Sequence, residues 1–344
     1  MTDSSPHMTN RARVPGRVNL IGEWIDFNGG TVLPMALAQS VELELSANRL
    51  NVDRVRSAQF PDQTDFDIDA PAAGHWSDYV RGGLQFARAR GWSTGGQDVT
   101  LASSIPVGAG LSSSAATIVA TLKAASSHLP DIDPVFIAHA AKSIENDFIG
   151  VPCGIMDQMA VAVGKTGSVL ALDTRDCSYQ IIAVPEDWSI AVIHSGIGRA
   201  LADGRYKIRR EECLQAAAAM DVAYLCDGDL RSAQALPPAL ARRATHVIAE
   251  GRRSREAIAA LMQHDPRAFG HLMNESHASL RDKLEVSVPE IDAMVRDAVE
   301  LGAYGARITG AGFGGCFVCL IDSTRVDTWW DDLHMRHPGM KRIA

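Results

Sequence analysis

The segment 106–116 of this 344-residue chain, PVGAGLSSSAA, combines residue types that bind phosphate groups. Gly108 and Gly110 carry no side chain, so backbone N–H groups can approach a ligand closely there. The serines supply hydroxyl groups and are typical of helix N-caps, and a helix N-terminus adds partial positive charge. These properties together predict a phosphate-binding loop. It is not a Walker A loop, because no Gly-Lys-Ser/Thr follows, and a plain strand-to-helix turn is the alternative interpretation.

A second glycine-rich segment, GAGFGG at 310–315, precedes the apolar stretch CFVCLID. Four glycines in six residues indicate that one or more takes a positive φ, or that two backbones approach each other. A tight turn explains the same pattern, so this segment indicates a binding site only in combination with the first glycine-rich loop.

The segment 15–30, PGRVNLIGEWIDFNGG, concentrates side chains that recognise hydroxyl groups or stabilise charge. They are Arg17, Asn19, Glu23, Asp26 and Asn28. Small and apolar residues separate them, and a polyol such as a sugar needs a lining of this kind. A solvated loop with ordinary turn residues is the alternative.

Asp157 lies in GVPCGIMDQ (150–158), among apolar residues and two glycines. A buried Asp must be paired or otherwise stabilised. In a kinase such a carboxylate can accept the proton of the substrate hydroxyl. A helix-capping Asp is the alternative.

The elements that must position these segments alternate between strand and helix without a regular βαβ cadence. The predicted strands are 41–47, 98–103, 168–172, 189–194 and 316–322, and the predicted helices are 112–126, 136–147, 208–223, 238–262, 266–279 and 289–302. This pattern predicts an α+β fold rather than a doubly wound sheet. The length suggests two domains, which we place at 11–187 and 188–344.

Composition excludes several classes of protein. With 33 basic and 41 acidic residues the net charge is −8, which argues against nucleic acid or an anionic membrane as a partner. No apolar run reaches the roughly 18 residues of a spanning helix, so we expect a cytoplasmic protein, with a monomer as the default. The six cysteines are scattered, and Cys316 and Cys319 are expected to be core residues rather than metal or redox ligands.

The four segments together resemble the motifs of the GHMP family of small-molecule kinases, and within it the galactokinases. The matching stretches are 16–30, 106–116, 153–158 and 310–316, with weaker similarity at 76–82, 205–210 and 274–281. The resemblance runs from about residue 11 to about residue 320. It implies a two-domain GHMP kinase fold, with an N-terminal mixed sheet with helices and a C-terminal ferredoxin-like domain.

The resemblance implies an ATP-dependent sugar 1-kinase that transfers the γ-phosphoryl group of ATP to the anomeric hydroxyl of galactose, with Mg²⁺. Asp157 matches the family's catalytic Asp, and Arg17 matches the Arg beside it. Arg17 would stabilise the developing alkoxide and the transferred phosphoryl group, since its charge is permanent. Asp157 is either the base or an electrostatic partner, and both roles stay open.

The remaining site residues also follow from the resemblance. Sugar contacts are implied for Glu23, Trp24, Asp26, Asn28, Gly154 and Tyr206. Nucleotide contacts are implied for Gly108, Gly110, Leu111, Ser112, Ser113, Ser114 and Ala115. Ser114 and Glu145 are the implied Mg²⁺ ligands, because this ion prefers oxygen donors and keeps waters and phosphate oxygens.

The sugar motif departs from the family pattern. Galactokinases usually read GEHTDYN where this chain reads GEWIDFN (22–28). Trp24 replaces a His that lies toward the C6 end of the sugar, so it would shrink and dry that subsite. The change favours a galacto-configured sugar without the C6 hydroxyl, such as L-arabinose or a 6-deoxy sugar. Alternatively, Trp24 rotates away and galactose still binds.

Two further alternatives stay open. A GHMP kinase for mevalonate or homoserine is disfavoured by Glu23, Asp26 and Asn28, which an anionic substrate would not need. A sugar and ATP sensor without turnover would typically lack a catalytic residue, whereas Asp157 and Arg17 are both present. The chain also ends soon after the third motif, so we expect an abbreviated last sheet.

Overall fold

The computed structural model describes residues 9–48, 50, 52–198 and 202–344. These residues form two compact units. The first unit consists of the described residues up to Arg17, Leu37–Pro106 and Ser112–Gly164, and the second of Val18–Ala36, Val107–Leu111 and Lys165–Ala344. The predicted division at 187/188 stays a prediction.

Twelve strands and ten α-helices are assigned among the described residues. The strands are β1 (Asn10–Asn19), β2 (Thr31–Val32), β3 (Pro34–Ala47), β4 (Asp53–Ser57), β5 (Phe60–Phe66), β6 (Gln97–Ser103), β7 (Ser168–Asp173), β8 (Tyr179–Ala183), β9 (Trp188–His194), β10 (Gly305–Ile308), β11 (Cys316–Asp322) and β12 (Lys341–Arg342). The helices are α1 (Asp78–Ala89), α2 (Ser113–Ala125), α3 (Pro134–Ser143), α4 (Met156–Val163), α5 (Ala202–Ala219), α6 (Leu230–Gln234), α7 (Pro238–Met262), α8 (Pro266–Ser279), α9 (Pro289–Glu300) and α10 (Val326–Arg336). Two π-helical segments, Ile144–Ile149 and Leu280–Leu284, continue α3 and α8.

Among its described residues, the first unit contains a mixed sheet and four α-helices. β1 pairs with β3, and the order continues β3-β6-β4-β5, with β4 parallel to β6 and the other two of these pairings antiparallel. The predicted alternation is confirmed in β3, where Val41, Leu43 and Leu45 are buried while Glu42 between them is exposed. In the same unit α1 packs on α2, and α3 packs on α4.

The second unit contains β2, β7 and β8 and a separate antiparallel sheet of four strands. β7 pairs with both β2 and β8. The four-stranded sheet has the order β10-β11-β9-β12. Helices separate β9 from β10, and α10 separates β11 from β12, so the chain follows the β-α-β-β-α-β order of a ferredoxin-like fold. The predicted α+β class and ferredoxin-like sheet are confirmed, and the edge strand β12 has only two residues.

Several predicted boundaries are wrong for identifiable reasons. The helix predicted at 208–223 ends at Ala219, because Asp221 adopts a left-handed φ of 52°. The helix predicted to start at 136 starts at Pro134, because the Asp133 carboxylate accepts a hydrogen bond from the N–H of Val135 at 2.9 Å. The helix predicted at 289–302 ends at Glu300, shortly before Gly302 at a φ of 107°.

Two negative expectations concern the membrane and the cysteines. Within the described ranges, no helix is both long and apolar enough to cross a bilayer. Cys316 and Cys319 are free and wholly buried in β11, as the core interpretation predicts.

Candidate active site

The first glycine-rich loop connects β6 to α2. Gly108, Gly110 and Ser112 all have positive φ, at 73°, 75° and 59°. Ser112 occupies the N-cap position of α2, but its hydroxyl makes no capping hydrogen bond, so the expectation of a serine side-chain cap is wrong there. The first N–H to bond within the helix is that of Ala116, to the Ser112 carbonyl at 3.0 Å.

The N–H groups of Ser113, Ser114 and Ala115 therefore begin α2 without an intrahelical partner. Such groups, at the positive end of a helix dipole, suit phosphate oxygens. Leu111 is buried, so only its backbone is available to a ligand.

Asp157, in the first turn of α4, is held from two sides. Arg17 donates from Nε and Nη2 to Oδ1, at 2.8 and 2.7 Å. The hydroxyl of the N-cap residue Ser112 donates a hydrogen bond to Oδ2 at 2.6 Å. The Arg17 side chain is 5% exposed, whereas that of Asp157 is 31% exposed. A carboxylate has about four acceptor positions, so these three donors leave room for one more hydrogen bond on a partly open side chain.

Glu145 is buried in the π-helical segment Ile144–Ile149 and interacts electrostatically with Asp157. Such helix irregularities are often found at functional sites. The Gln158 amide donates to Oε2 of Glu145, and the hydroxyl of Ser114 also bonds to the carboxylate. Burial, followed by the negative charge of Asp157, raises the pKa of Glu145 to about 7. These two effects outweigh the hydrogen bonds of Ser114 and Gln158 and the charge of Arg17, which lower the pKa.

The side chain of Asn146 stabilises the loop that leads into α4. Its Oδ1 accepts from the N–H of Cys153 at 2.9 Å and lies 3.4 Å from the Cys153 Sγ. Gly154 is buried in the same loop, three residues before Asp157. All contacts described so far for Arg17, Ser112, Glu145 and Asp157 lie within the first unit.

In the second unit, Trp24 forms an aromatic cluster. Its ring centroid lies 4.7 Å from that of Tyr206, and the ring meets Phe27 edge to face at 6.2 Å. Trp24 is only 4% exposed and has a φ of 68°, which is uncommon for a bulky residue. Among the described residues its indole Nε1 finds no acceptor. The structure thus brings the predicted sugar residues Trp24 and Tyr206 together.

Glu23 bonds to the second glycine-rich segment. Its Oε1 accepts from the Thr309 hydroxyl at 2.9 Å and from the N–H of Gly310 at 2.7 Å. Arg307 places Nη2 at 3.4 Å from the same oxygen and donates from Nη1 to the Asn19 carbonyl at 3.0 Å. This buried carboxylate therefore joins the segment 18–30 to the start of the loop 310–315.

The loop itself fits the glycine prediction. All four of its glycines have positive φ. A Cβ at Gly312 would lie 2.4 Å from the Val286 carbonyl oxygen, so both a positive φ and a close backbone approach occur there.

Asn28 and Asp26 differ in solvent exposure. The Asn28 Nδ2 donates to the Trp24 carbonyl at 2.7 Å, so this buried amide braces the turn. Asp26 remains partly exposed.

The sequence interpretation missed Arg307, Thr309 and Gln158. An Arg at 307 inside the apolar stretch GARI was a usable signal, because a buried charge must have a partner. Gln158, directly after Asp157, carried no such signal.

Comparisons with known proteins identify the family of this chain. Three family models match: "GHMP kinases N terminal domain" over 78–165, "GHMP kinases C terminal" over 257–333, and "Galactokinase galactose-binding signature" over 4–46. A galactokinase of Roseiflexus sp. (strain RS-1) is 40% identical over 341 residues, covering 95% of this chain and 87% of the relative.

Solved structures give the same result. The galactokinase of Lactococcus lactis, complexed with galactose, is 28% identical with a TM-score of 0.90, covering 97% of this chain and 92% of the other. The mevalonate kinase of Methanococcus jannaschii is 17% identical with a TM-score of 0.73 and shares the fold, covering 96% of each chain. This chain belongs to the galactokinase family of the GHMP kinases.

Proposed function

We propose that this chain transfers the γ-phosphoryl group of ATP to the anomeric hydroxyl of galactose. The observation that carries the proposal is the Asp157 carboxylate, in the matching catalytic segment, held by Arg17 and Ser112 with one acceptor position left. The match to the galactose-binding signature supports a sugar as acceptor, and the kinase family supports ATP as donor. A monomeric, cytoplasmic enzyme remains the prediction from the sequence.

Positioning and charge stabilisation are the main tasks, because the attacking hydroxyl is a weak nucleophile at neutral pH. Asp157 would accept a hydrogen bond from that hydroxyl and would either take its proton or stabilise the positive end of the O–H bond. Arg17, fixed by two hydrogen bonds to one carboxylate oxygen, would stabilise the charge that develops on the transferred group. The N–H groups of Ser113, Ser114 and Ala115 would bind phosphate oxygens.

The residues present fit a magnesium ion. Ser114 and Glu145 offer a hydroxyl and a carboxylate, the oxygen donors that Mg²⁺ prefers. Burial and Asp157 raise the pKa of Glu145, so its ionised form is destabilised, and a bound cation would stabilise that form. Within the described residues no cluster of three or more His, Cys, Asp or Glu could hold a metal, so phosphate oxygens and waters would complete the ligand set. When bound, the ion would neutralise charge on the phosphate groups.

The test is a coupled ADP-release assay on galactose, L-arabinose, 6-deoxygalactose, galacturonate, glucose and N-acetylgalactosamine. We expect turnover with galactose and a loss of about a thousandfold in Asp157→Asn. Asp176→Asn, which changes an exposed carboxylate in a turn, is the matched control and should keep full activity. Silence of the whole panel would contradict the proposal and favour a sensor, and so would an Asp157→Asn variant that keeps wild-type turnover.

A second candidate is a kinase for a sugar that lacks the C6 hydroxyl. The observation that favours it is the buried Trp24 ring, packed between Tyr206 and Phe27 rather than exposed to solvent. An aromatic wall at this place would exclude a hydroxymethyl group and would offer it little hydrogen bonding.

Exchange of Trp24 for the family residue separates the two candidates. If the second candidate holds, Trp24→His will raise the kcat/KM ratio of galactose over L-arabinose by tenfold or more, on the order expected for one hydroxyl-specific contact. Trp330→His, on α10, should leave the ratio unchanged. A wild-type enzyme that prefers galactose, with a ratio unaffected by Trp24→His, would reject this second candidate.

A further inference from the structure

Helix α7 presents two polar side chains, His246 and Glu250, four residues apart and therefore on one face. Both are wholly buried, so each must be satisfied by hydrogen bonds. Their partners include main-chain groups on either side of Glu23. Glu250 Oε1 accepts from the N–H of Gly22 at 2.9 Å, and His246 Nε2 lies 3.1 Å from the Glu23 carbonyl oxygen.

The hydrogen bonds fix the tautomer of His246. A carbonyl oxygen only accepts, so Nε2 carries the proton and donates to Glu23. Nδ1 lies 2.9 Å from the Ser279 hydroxyl and accepts from it. Burial lowers the pKa of His246 to about 4, so the ring is neutral at pH 7 and both its nitrogens are satisfied.

Both oxygens of the Glu250 carboxylate accept hydrogen bonds. Arg253 donates to its Oε2 at 2.8 Å, and the Ser276 hydroxyl donates to Oε1 at 2.7 Å beside the Gly22 N–H. Burial alone would raise the pKa of Glu250, but the charge of Arg253 and the other neighbours lower it to about 2. The carboxylate is therefore ionised whenever it holds Gly22.

The backbone held in this way is unusual. Gly22 has a φ of 100° and Trp24 a φ of 68°, so both neighbours of Glu23 take left-handed conformations. The turn is also tightly enclosed, because a Cβ at Gly22 would lie 3.0 Å from the Val32 Cα. For a bulky residue such as Trp24 this conformation costs energy and persists only where the surroundings impose it.

We propose that His246 and Glu250 are positioning residues for sugar binding: they clamp the N–H of Gly22 and the carbonyl of Glu23, and so fix the direction of the Glu23 and Trp24 side chains. The proposal rests on the sugar-binding role proposed above for the segment 22–28. Neither residue touches the sugar in this scheme, since both act through the main chain of that segment.

The decisive experiment compares His246→Leu, which removes the donor, with His246→Gln, whose amide can donate to the same carbonyl. Sugar affinity is measured by calorimetry with galactose and L-arabinose in the absence of nucleotide, and KM for sugar and ATP by the ADP assay. We expect His246→Leu to weaken sugar binding and raise its KM about tenfold, as expected for one lost hydrogen bond, with the KM for ATP almost unchanged. His246→Gln should restore most of this loss.

His337→Leu, which breaks the partly buried pair of His337 with Asp297, is the matched histidine control and should leave both constants unchanged. Amide hydrogen exchange of the unliganded protein gives a second readout, since the Gly22 amide should lose more protection in Glu250→Gln than the other buried amides of the second unit. If His246→Leu lowers stability but leaves sugar affinity and KM unchanged, the residues are structural and the proposal is wrong.

The two proposals fail in different ways. A wild-type chain that binds a sugar without phosphorylating it contradicts the proposed kinase activity, while the affinity comparison of the His246 variants still decides the positioning role. A wild-type chain that binds neither sugar overturns both.

Discussion

Two buried glutamates, one in each compact unit, have pKa values that are shifted in opposite directions. Glu145 bonds to the neutral groups of Ser114 and Gln158, and burial and the negative charge of Asp157 raise its pKa to about 7 against the opposing charge of Arg17. Glu250 is as deeply buried, yet Arg253 and a serine hydroxyl hold it, and its pKa falls to about 2.

The difference shows how a carboxylate that binds a ligand, as proposed for Glu145, differs from one that stabilises the fold, as Glu250 does. Glu250 has three hydrogen-bond donors within the described part of the chain, and one of them is the charged Arg253, so its charge is already compensated. Glu145 has hydrogen bonds from neutral groups, and burial and Asp157 outweigh the charge of Arg17, which is the condition expected of a group that a cation completes. Burial alone does not separate the two cases, since the identity of the neighbours decides.

The largest expected effect is the loss of stability on removing the charge of Glu250, which is paired with Arg253. Glu250→Gln leaves Arg253 buried without its counter-charge, so the free energy of unfolding should fall by about 3–5 kcal/mol. Urea denaturation followed by circular dichroism measures it. Glu256→Gln, in an exposed pair with Arg252, is the control and should change the value by less than about 0.5 kcal/mol. A small loss for Glu250→Gln would remove the contrast between the two glutamates.

The pH dependence sharpens the comparison, because His246, which lies beside Glu250, and Glu145 should change the free energy of unfolding with pH in opposite directions. The pKa of His246 is lowered by burial from 6.5 to about 4, so between these values the unfolded chain binds more protons and His246 makes stability rise with pH. The pKa of Glu145 is raised from 4.5 to about 7, so the folded chain binds more protons and Glu145 makes stability fall as pH rises. Each slope has an upper limit of about 1.4 kcal/mol per pH unit.

The two slopes oppose each other in the wild type, so variants are needed to see them. Free energies of unfolding are measured from pH 4.5 to 6.5 for the wild type, His246→Gln and Glu145→Gln. The stability of the wild type relative to His246→Gln should increase with pH, and relative to Glu145→Gln it should decrease. The charged groups that act on His246 are Glu250, Arg253 and Arg307. Two differences of the same sign would refute the contrast.

Much of the fold was predictable because local patterns determine it. The bounds of α7, α8 and β11 match their predictions residue for residue, since prolines begin both helices and the apolar stretch marks the strand. The boundary errors at 134 and 219 arose from an Asp cap and from a left-handed Asp221, which hydrophobic periodicity does not report.

The candidate site was predictable only where motifs carry it. Arg17 and Asp157 are 140 residues apart, and only a family resemblance paired them before the structure did. His246 and Glu250 lay outside every motif, because their partners are backbone groups of Gly22 and Glu23, and a main-chain contact leaves no residue signature in the partner segment. The left-handed Ser112, whose hydroxyl turns from capping to Asp157, was equally invisible.

The third prediction concerns Glu145, the glutamate proposed to bind Mg²⁺. Glu145→Gln keeps the size of the side chain but removes its charge, so kcat should fall about a hundredfold at limiting Mg²⁺ while the free energy of unfolding at pH 7 changes by less than about 1 kcal/mol. The ADP assay at several Mg²⁺ concentrations and urea denaturation measure the two quantities. Asp147→Asn, an exposed carboxylate in the same π-helical segment, should keep both values. A large loss of stability with normal turnover would make Glu145 a structural residue like Glu250.

The smallest expected effect separates Ser112 from the other loop serines. Ser112→Ala removes the hydroxyl that donates to Asp157 Oδ2, so the carboxylate loses one of three donors while Arg17 keeps the other oxygen in place. We expect kcat to fall about tenfold, the usual effect of one hydrogen bond to a charged group, with little change in the KM for ATP. The kcat–pH profile should shift as well, because a donor to the ionised carboxylate is gone. Ser126→Ala, at the opposite end of α2, is the control. A variant that raises the KM for ATP and leaves kcat and the pH profile unchanged would instead make Ser112 a nucleotide contact, as its place in the glycine-rich loop first predicted.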